Sequence, residues 1–370
     1  MSTEFWLYIS VCGRDGIVPG EIYRSGYGTI QFEFPYDAAV AAAAELRKRA
    51  RDWADKHWDG DAGEVSAFED LRQASGDCYT EIFKRAPRPV HDFLAEAEGE
   101  VSLIVRQQSP ELSIPWGLLS QPGSEDDPRL FWAAKYNVYV NSLGVQSEDP
   151  RPRPWDFASA LHDQKFDAVV PELPPAEQSF ASVIHTRGTR AERFRPTLSP
   201  PAERPRYCFI YVYAHGEDGQ LLFWDSQKLR NVPVCPHNLL ENLTLDNGVV
   251  FIILNACDTV QAIDRLAKNL LVPRSSREIA CVVTEYPIND SFALRIGLEL
   301  IDRCVQGGES TLDAMKAVRQ RHYPQSIAYA LYCKQAFYVD PPLRLLNNDD
   351  VVNAYRQAIV RANFSSRSSP

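Results

Sequence analysis

Residues 249–259 read VVFIILNACDT. The first six side chains are branched or aromatic and do not alternate with polar ones, which is the pattern of a strand buried on both faces of a parallel sheet. Such a strand runs out at Asn255 and Ala256 and delivers the thiol of Cys257 to its carboxyl end. YCFIYVYA (207–214) and IACVVTEY (279–286) have the same unbroken apolar character, and CPHNLLENL (235–243) and VQAIDRLAKNLL (260–271) read as crossover helices between them. Alternating strand and helix predicts an α/β fold, a mostly parallel sheet with helices on both faces.

In open α/β sheets, ligands bind beyond the carboxyl ends of the strands. The 207–214 strand ends on His215 and Gly216, and Cys257 follows His215 by 42 residues. That interval holds a hairpin and a crossover helix, so the two strands can lie side by side, about 5 Å apart. A cysteine beside a histidine becomes a thiolate and imidazolium pair: the thiolate attacks a carbonyl and the imidazolium returns a proton to the leaving amine. Gly216 lacks a Cβ, so its backbone can approach a substrate carbonyl. Its N–H and that of Cys257 would then form an oxyanion hole. Taken singly, His215 reads as a core histidine and Cys257 as a buried thiol; both at strand ends, with a glycine after the histidine, they read as catalytic.

The rest of the chain narrows the function class. A formal charge of -10 over 370 residues argues against nucleic acid or an anionic membrane as the main partner. No apolar run reaches the length of a membrane span, and the opening MSTEFWLYISVCG lacks a basic leader and a cleavage site, so a cytoplasmic location is expected. The eight cysteines stand singly, with no Cys-x-x-Cys pair to chelate zinc, and no phosphate loop or dinucleotide fingerprint occurs; no cofactor and no metal are expected.

FWLYISV (5–11) and TIQFEFP (29–35) read as a hairpin around a Gly-rich turn, followed by an Ala-rich helix capped by Asp37 and reaching about Trp58. A second helix is predicted from about Val65 to Phe83, then strands in EVSLIVRQQ (100–108) and KYNVYVNS (135–142). QSEDPRPRPW (146–155) can neither pair in a sheet nor continue a helix, and RPTLSPPAERPR (195–206) is similar. The expected organisation is a first half over 1–145, a Pro-rich linker with a helix near 174–186 over 146–205, a catalytic half over 206–350, and a helix with a frayed tail over 351–370. Within the catalytic half, SFALRIGLELIDRCVQGG (291–308) reads as a helix ending at a glycine pair, and Ser310 opens another to about His322.

YVYAHG and ILNACDT resemble the His-Gly and Ala-Cys motifs of caspase-like cysteine peptidases, a group that includes separase, metacaspases, gingipains and the bacterial CHAT proteases. The CHAT pattern is the nearer one, since its members read Ala-Cys-Asp/Glu-Ser/Thr and residues 256–259 are Ala-Cys-Asp-Thr. LSIPWGLL (112–119) is similar to that family's Leu-Pro-Trp-Glu-Leu-Leu element, with Gly117 in place of Glu. VVTEYPINDSFA (282–293) resembles its small-Trp-x-x-x-Asp loop, with Tyr286 in the Trp position. CVQGGESTLDAMKAVRQ (304–320) and LYCKQAFYVDPPLRL (331–345) resemble a helix start and the closing strand. The resemblance covers about residues 65–350 and implies a pseudo-caspase half followed by a catalytic caspase-like half.

It also implies a cysteine endopeptidase acting on a protein substrate, with a separate regulatory or sensor protein and a role in bacterial defence or regulated cell death. In separase-like relatives, the residue matching Asp290 helps hold a basic side chain before the scissile bond. Asp290 could equally cap the helix beginning at Ser291, and Asp258 is a second candidate for the pocket wall. The competing expectation is a catalytically silent scaffold with the same fold that binds a partner protein.

Overall fold

The computed structural model describes residues 3–10, 13, 15–24, 28–95, 101–108, 113–123, 130–141, 153–154, 157–162, 207–217, 220–225, 230–234, 249–257, 259, 278–306, 309–333 and 339–340. The chain divides into two compact units. The first comprises Met1–Ser147, Glu285–Pro287 and Met315–Gln335, the second Glu148–Thr284, Ile288–Ala314 and Ala336–Pro370.

The first stretch of chain forms β1 (Thr3–Ile9), β2 (Ile17–Arg24), β3 (Gly28–Pro35), α1 (Tyr36–Asp59), α2 (Glu64–Phe83) and α3 (Arg88–Ala95). It continues through β4 (Val101–Gln107), a 3-10 turn at Trp116–Leu118, α4 (Trp132–Lys135) and β5 (Asn137–Asn141). Next come β6 (Arg153–Pro154), β7 (Phe157–His162), β8 (Tyr207–Tyr213), β9 (His215–Glu217), β10 (Gln220–Asp225) and β11 (Arg230–Val234). The last stretch contains β12 (Val249–Asn255), β13 (Glu278–Thr284), α5 (Asp290–Ile301), α6 (Thr311–Arg321), β14 (Tyr329–Cys333) and β15 (Val339–Asp340).

In the first unit the strand order is β3, β2, β1, β4, β5, β14, with the first three antiparallel and the remainder parallel. β2 lies where the sequence reads as a turn. Its Pro19-Gly20 pair is tolerated because Pro19 is exposed and Gly20 lies beneath the ring of Phe32, its cross-strand partner. A Cβ at Gly20 would fall 2.4 Å from that ring, so the aromatic covers the glycine and takes the place of its missing side chain. α1 buries Ala39, Ala43, Leu46, Ala50, Trp53 and Ala54, a stripe at helical spacing whose small residues permit close packing. The helix is entered from Pro35 with no side-chain cap, so Asp37 lies in the first turn, where its charge suits the helix dipole, and is not the capping residue. Gly60 closes the helix at φ 65°, donating its N–H to the carbonyls of His57 and Lys56.

Two cations, Arg47 partly buried and Arg319 fully buried, tie late-chain segments into this unit. Arg47 on α1 donates from Nε to Glu285 at 3.0 Å and from Nη1 to the Ser113 carbonyl at 2.8 Å. Tyr286 is buried edge-on against Trp53, and its hydroxyl donates to the Gln325 carbonyl at 3.3 Å. Arg319 is 1% exposed and donates to the carbonyl of Tyr329 at 3.0 and 2.7 Å and to that of Val138 at 3.2 Å, bridging β14 and β5. Burial lowers its pKa to about 10, with the Glu285 carboxylate opposing, so it stays charged at neutral pH.

In the second unit, β13, β12, β8 and β7 form a wholly parallel sheet in that order. β9, β10 and β11 make a separate antiparallel sheet, and β15 pairs in parallel with β6, so Arg153–Pro154 does enter a sheet, contrary to the expectation for residues 146–155. Ser310 caps α6 through a reciprocal pair: its Oγ accepts from the Asp313 N–H at 3.0 Å and donates to the Asp313 carboxylate at 2.6 Å. The α/β class expected from the sequence is the one observed, with mostly parallel sheets and helices. The expected crossover helices at 235–243 and 260–271, and the helix near 174–186, lie outside the described residues. No helix of the described residues is long and apolar enough to cross a membrane.

Replacing Arg319 with Met leaves two buried carbonyls without their donors. The expected cost is about 2–4 kcal/mol of unfolding free energy, read as a lower urea midpoint.

Candidate active site

β8 and β12 are direct neighbours, paired in parallel over seven positions from Tyr207↔Val249 to Tyr213↔Asn255. His215 and Cys257 each lie two residues beyond the last paired position and are therefore level with one another at the carboxyl end of the sheet. The ladder weakens but persists past the strands, with the Ala214 N–H donating to the Asn255 carbonyl at 3.4 Å. His215 then begins β9 and turns away into the hairpin, pairing with Leu222, while Gly216 pairs with Leu221.

Gly216 lies against the backbone of Cys257. A Cβ built on it would fall 1.9 Å from the Cys257 carbonyl oxygen and 2.8 Å from its nitrogen. No side chain fits, so this glycine is required by close approach of two backbones. Side-chain detail around the thiol comes from α5 and the loop before it. Cys257 Sγ donates to the Ile288 carbonyl at 3.7 Å. Asn255, fully buried, donates its side-chain amide to the Ala293 carbonyl, and the Tyr213 hydroxyl donates to the Asp290 carbonyl at 2.6 Å.

Two hydroxyls hold the turn from the β13 side. Thr284 donates its hydroxyl to the Ala256 carbonyl, and its backbone N–H donates to Thr259 Oγ1 at 2.9 Å. The Thr259 hydroxyl lies 3.3 Å from the Leu254 carbonyl and from Thr284 Oγ1. Every donor in this pair has an acceptor, and both residues are buried.

Asp290 is the first residue of α5 and is partly buried. It does not cap the helix: the Asn289 side chain does, accepting from the N–H groups of Ser291 at 3.0 Å and Phe292 at 3.4 Å. An asparagine just before a helix is itself a capping signal, and it is the one that operates here. Asp258 lies outside the described residues. Sequence reasoning expected His215, Gly216 and Cys257 at the sheet end, where their strands terminate, and did not single out Thr284 or Tyr213 or the side-chain amide of Asn255, whose roles depend on what lies opposite them. Among the described residues, no group of three His, Cys, Asp or Glu side chains is placed to hold a metal ion.

The thiols differ in kind. Among the described free cysteines, Cys78, Cys281, Cys304 and Cys333 are buried and Cys257 is half-exposed. Burial pushes the Cys78 and Cys304 thiols up to about 12 and that of Cys281 higher, which keeps them protonated and unreactive.

No known protein family and no curated protein matches the sequence. Among solved structures, a chain in the Saccharomyces cerevisiae separase–securin complex is similar with a TM-score of 0.45 at 9% identity, over 91% of this chain and 30% of that one. Chaetomium thermophilum Raptor is similar with a TM-score of 0.29 at 8% identity, over 60% of this chain and 30% of that one. The chain thus spans less than a third of either, and neither likeness bears on its activity.

Brief iodoacetamide treatment of the folded chain is expected to modify Cys257 and leave Cys78, Cys281 and Cys304 intact, as read by peptide mass mapping. Gly216→Ala drives a methyl group into the Cys257 peptide. It is expected to cost about 1–3 kcal/mol and to shift the turn, measurable by thermal unfolding.

Proposed function

We propose that the chain is a cysteine endopeptidase of CHAT type within the caspase-like group, cleaving a protein substrate through Cys257 and His215. The observation that carries this reading is the register of β8 and β12, which sets the two residues level at one end of a rigid sheet, with Gly216 against the Cys257 backbone. In the first step the imidazole of His215 takes the thiol proton and the thiolate sulfur attacks the scissile carbonyl carbon. The carbonyl electron pair moves to oxygen, facing the N–H groups of Cys257 and Gly216. Collapse breaks the C–N bond, the imidazolium supplies the amine's proton, and the resulting thioester is hydrolysed by water that His215 deprotonates.

Asp290 is the proposed specificity residue, presenting a carboxylate to an Arg or Lys side chain before the scissile bond, with Asp258 as a second wall. Support comes from the capping arrangement, in which Asn289 and not Asp290 accepts the first N–H groups of the helix. The loop that carries it also supplies the carbonyl contacting Cys257, two residues earlier. A separate regulatory protein and a role in bacterial defence or regulated cell death complete the proposal.

The test is turnover of a fluorogenic peptide library by purified protein. Cys257→Ala is expected to abolish cleavage and His215→Ala to lower kcat/KM about 10²–10⁴-fold. Asp290→Ala is expected to remove a preference for Arg or Lys before the cleaved bond. Unchanged turnover in Cys257→Ala would overturn the reading, and a biological role that survives this substitution would favour the partner-binding scaffold.

A further inference from the structure

We infer that Thr284 is a positioning residue for the proposed reaction, holding the Cys257 N–H in the direction an oxyanion requires; this rests on the peptidase reading above. The inference starts from one peptide unit. Thr284 ends β13, on one side of β12, and its hydroxyl donates to the Ala256 carbonyl. The peptide between Ala256 and Cys257 is trans, since the cis bond in the described residues is Tyr323–Pro324. In a trans peptide the C=O and N–H point in opposite directions. Turning the Ala256 carbonyl toward β13 therefore turns the Cys257 N–H toward β8, the side from which His215 and Gly216 arrive.

Two independent contacts agree with this direction. The carbonyls of Asn255 and Cys257, on either side of Ala256, both face the β8 side: one accepts from Ala214 at 3.4 Å and the other stands 1.9 Å from a Cβ built on Gly216. The Cys257 nitrogen lies 2.8 Å from that same built atom. Thr259 keeps the donating hydroxyl in place by accepting the Thr284 N–H at 2.9 Å. The Ala256 carbonyl is an acceptor at the end of a strand, where the regular ladder no longer supplies a donor, and the threonine hydroxyl replaces it. Thr284 never touches substrate in this scheme; it acts through the Cys257 peptide.

The isosteric Thr284→Val variant removes the hydroxyl and keeps the volume. With the fluorogenic peptides, it is expected to lower kcat about tenfold, less than outright loss of an oxyanion donor, with KM changed by less than about twofold. Alkylation of Cys257 by iodoacetamide needs a thiol but no oxyanion site, and is expected to proceed at the wild-type rate. Thr284→Ser restores the donor and is expected to return kcat to within about twofold of wild type. Wild-type kcat in Thr284→Val, or failure of Thr284→Ser to rescue, overturns the positioning role while leaving the peptidase reading intact.

Failure of the peptidase reading has a different signature, namely turnover that survives Cys257→Ala. If Thr284→Val does not fold, a crystal structure of the wild-type chain with a peptidyl aldehyde decides. The hemithioacetal oxygen is expected on the Cys257 N–H with the Ala256 carbonyl still on Thr284; an oxygen bound elsewhere overturns the inference.

Discussion

The parallel register of β8 and β12 is the constraint on which the rest of the site depends. Because Tyr213 stands opposite Asn255, the residues two further along each strand arrive level, and these are His215 and Cys257. A slip of one residue would exchange the faces of every side chain along the strand and separate the pair. Phe251 to Ala256 of β12 are buried, so the core that holds this strand also holds the sheet end.

The end of β12 is held on two sides by different chemistry. On the β8 side the backbones of Gly216 and Cys257 touch, which only a residue without a side chain permits. On the β13 side Thr284 and Thr259 satisfy the carbonyls that the sheet ladder leaves behind. Beyond the strand, Asn255 fixes α5 by donating to Ala293, and α5 in turn is started by Asn289. Asn255, Thr259 and Thr284 are buried polar groups with named partners, each worth about 1 kcal/mol in place and more when one partner is lost. The consequence is a thiol on a well-supported turn, set apart from the buried thiols of Cys78, Cys281 and Cys304, whose environment keeps them protonated.

Much of this was legible in the sequence where local chemistry is strong. The runs at 207–213, 249–255 and 278–284 form the predicted strands, and Ser310 starts its helix as expected. Legibility failed where a neighbour in space changes what a residue means. Pro19 and Gly20 look like a turn, but the ring of Phe32 covers the glycine and the segment is a strand. Asp37 and Asp290 look like caps, but Pro35 and Asn289 occupy the capping positions. Thr284 reads as one more β-branched strand residue until the Ala256 carbonyl is found opposite its hydroxyl.

The sequence by itself determined the class of fold and the strands that end on His215 and Cys257, because apolar periodicity and residue identity are local properties. It left open which residues stand level, which glycine is required by contact and which hydroxyl directs a peptide. Those were decided by tertiary structure, since register, close approach and hydrogen-bond partners arise only when segments distant in the chain are brought side by side.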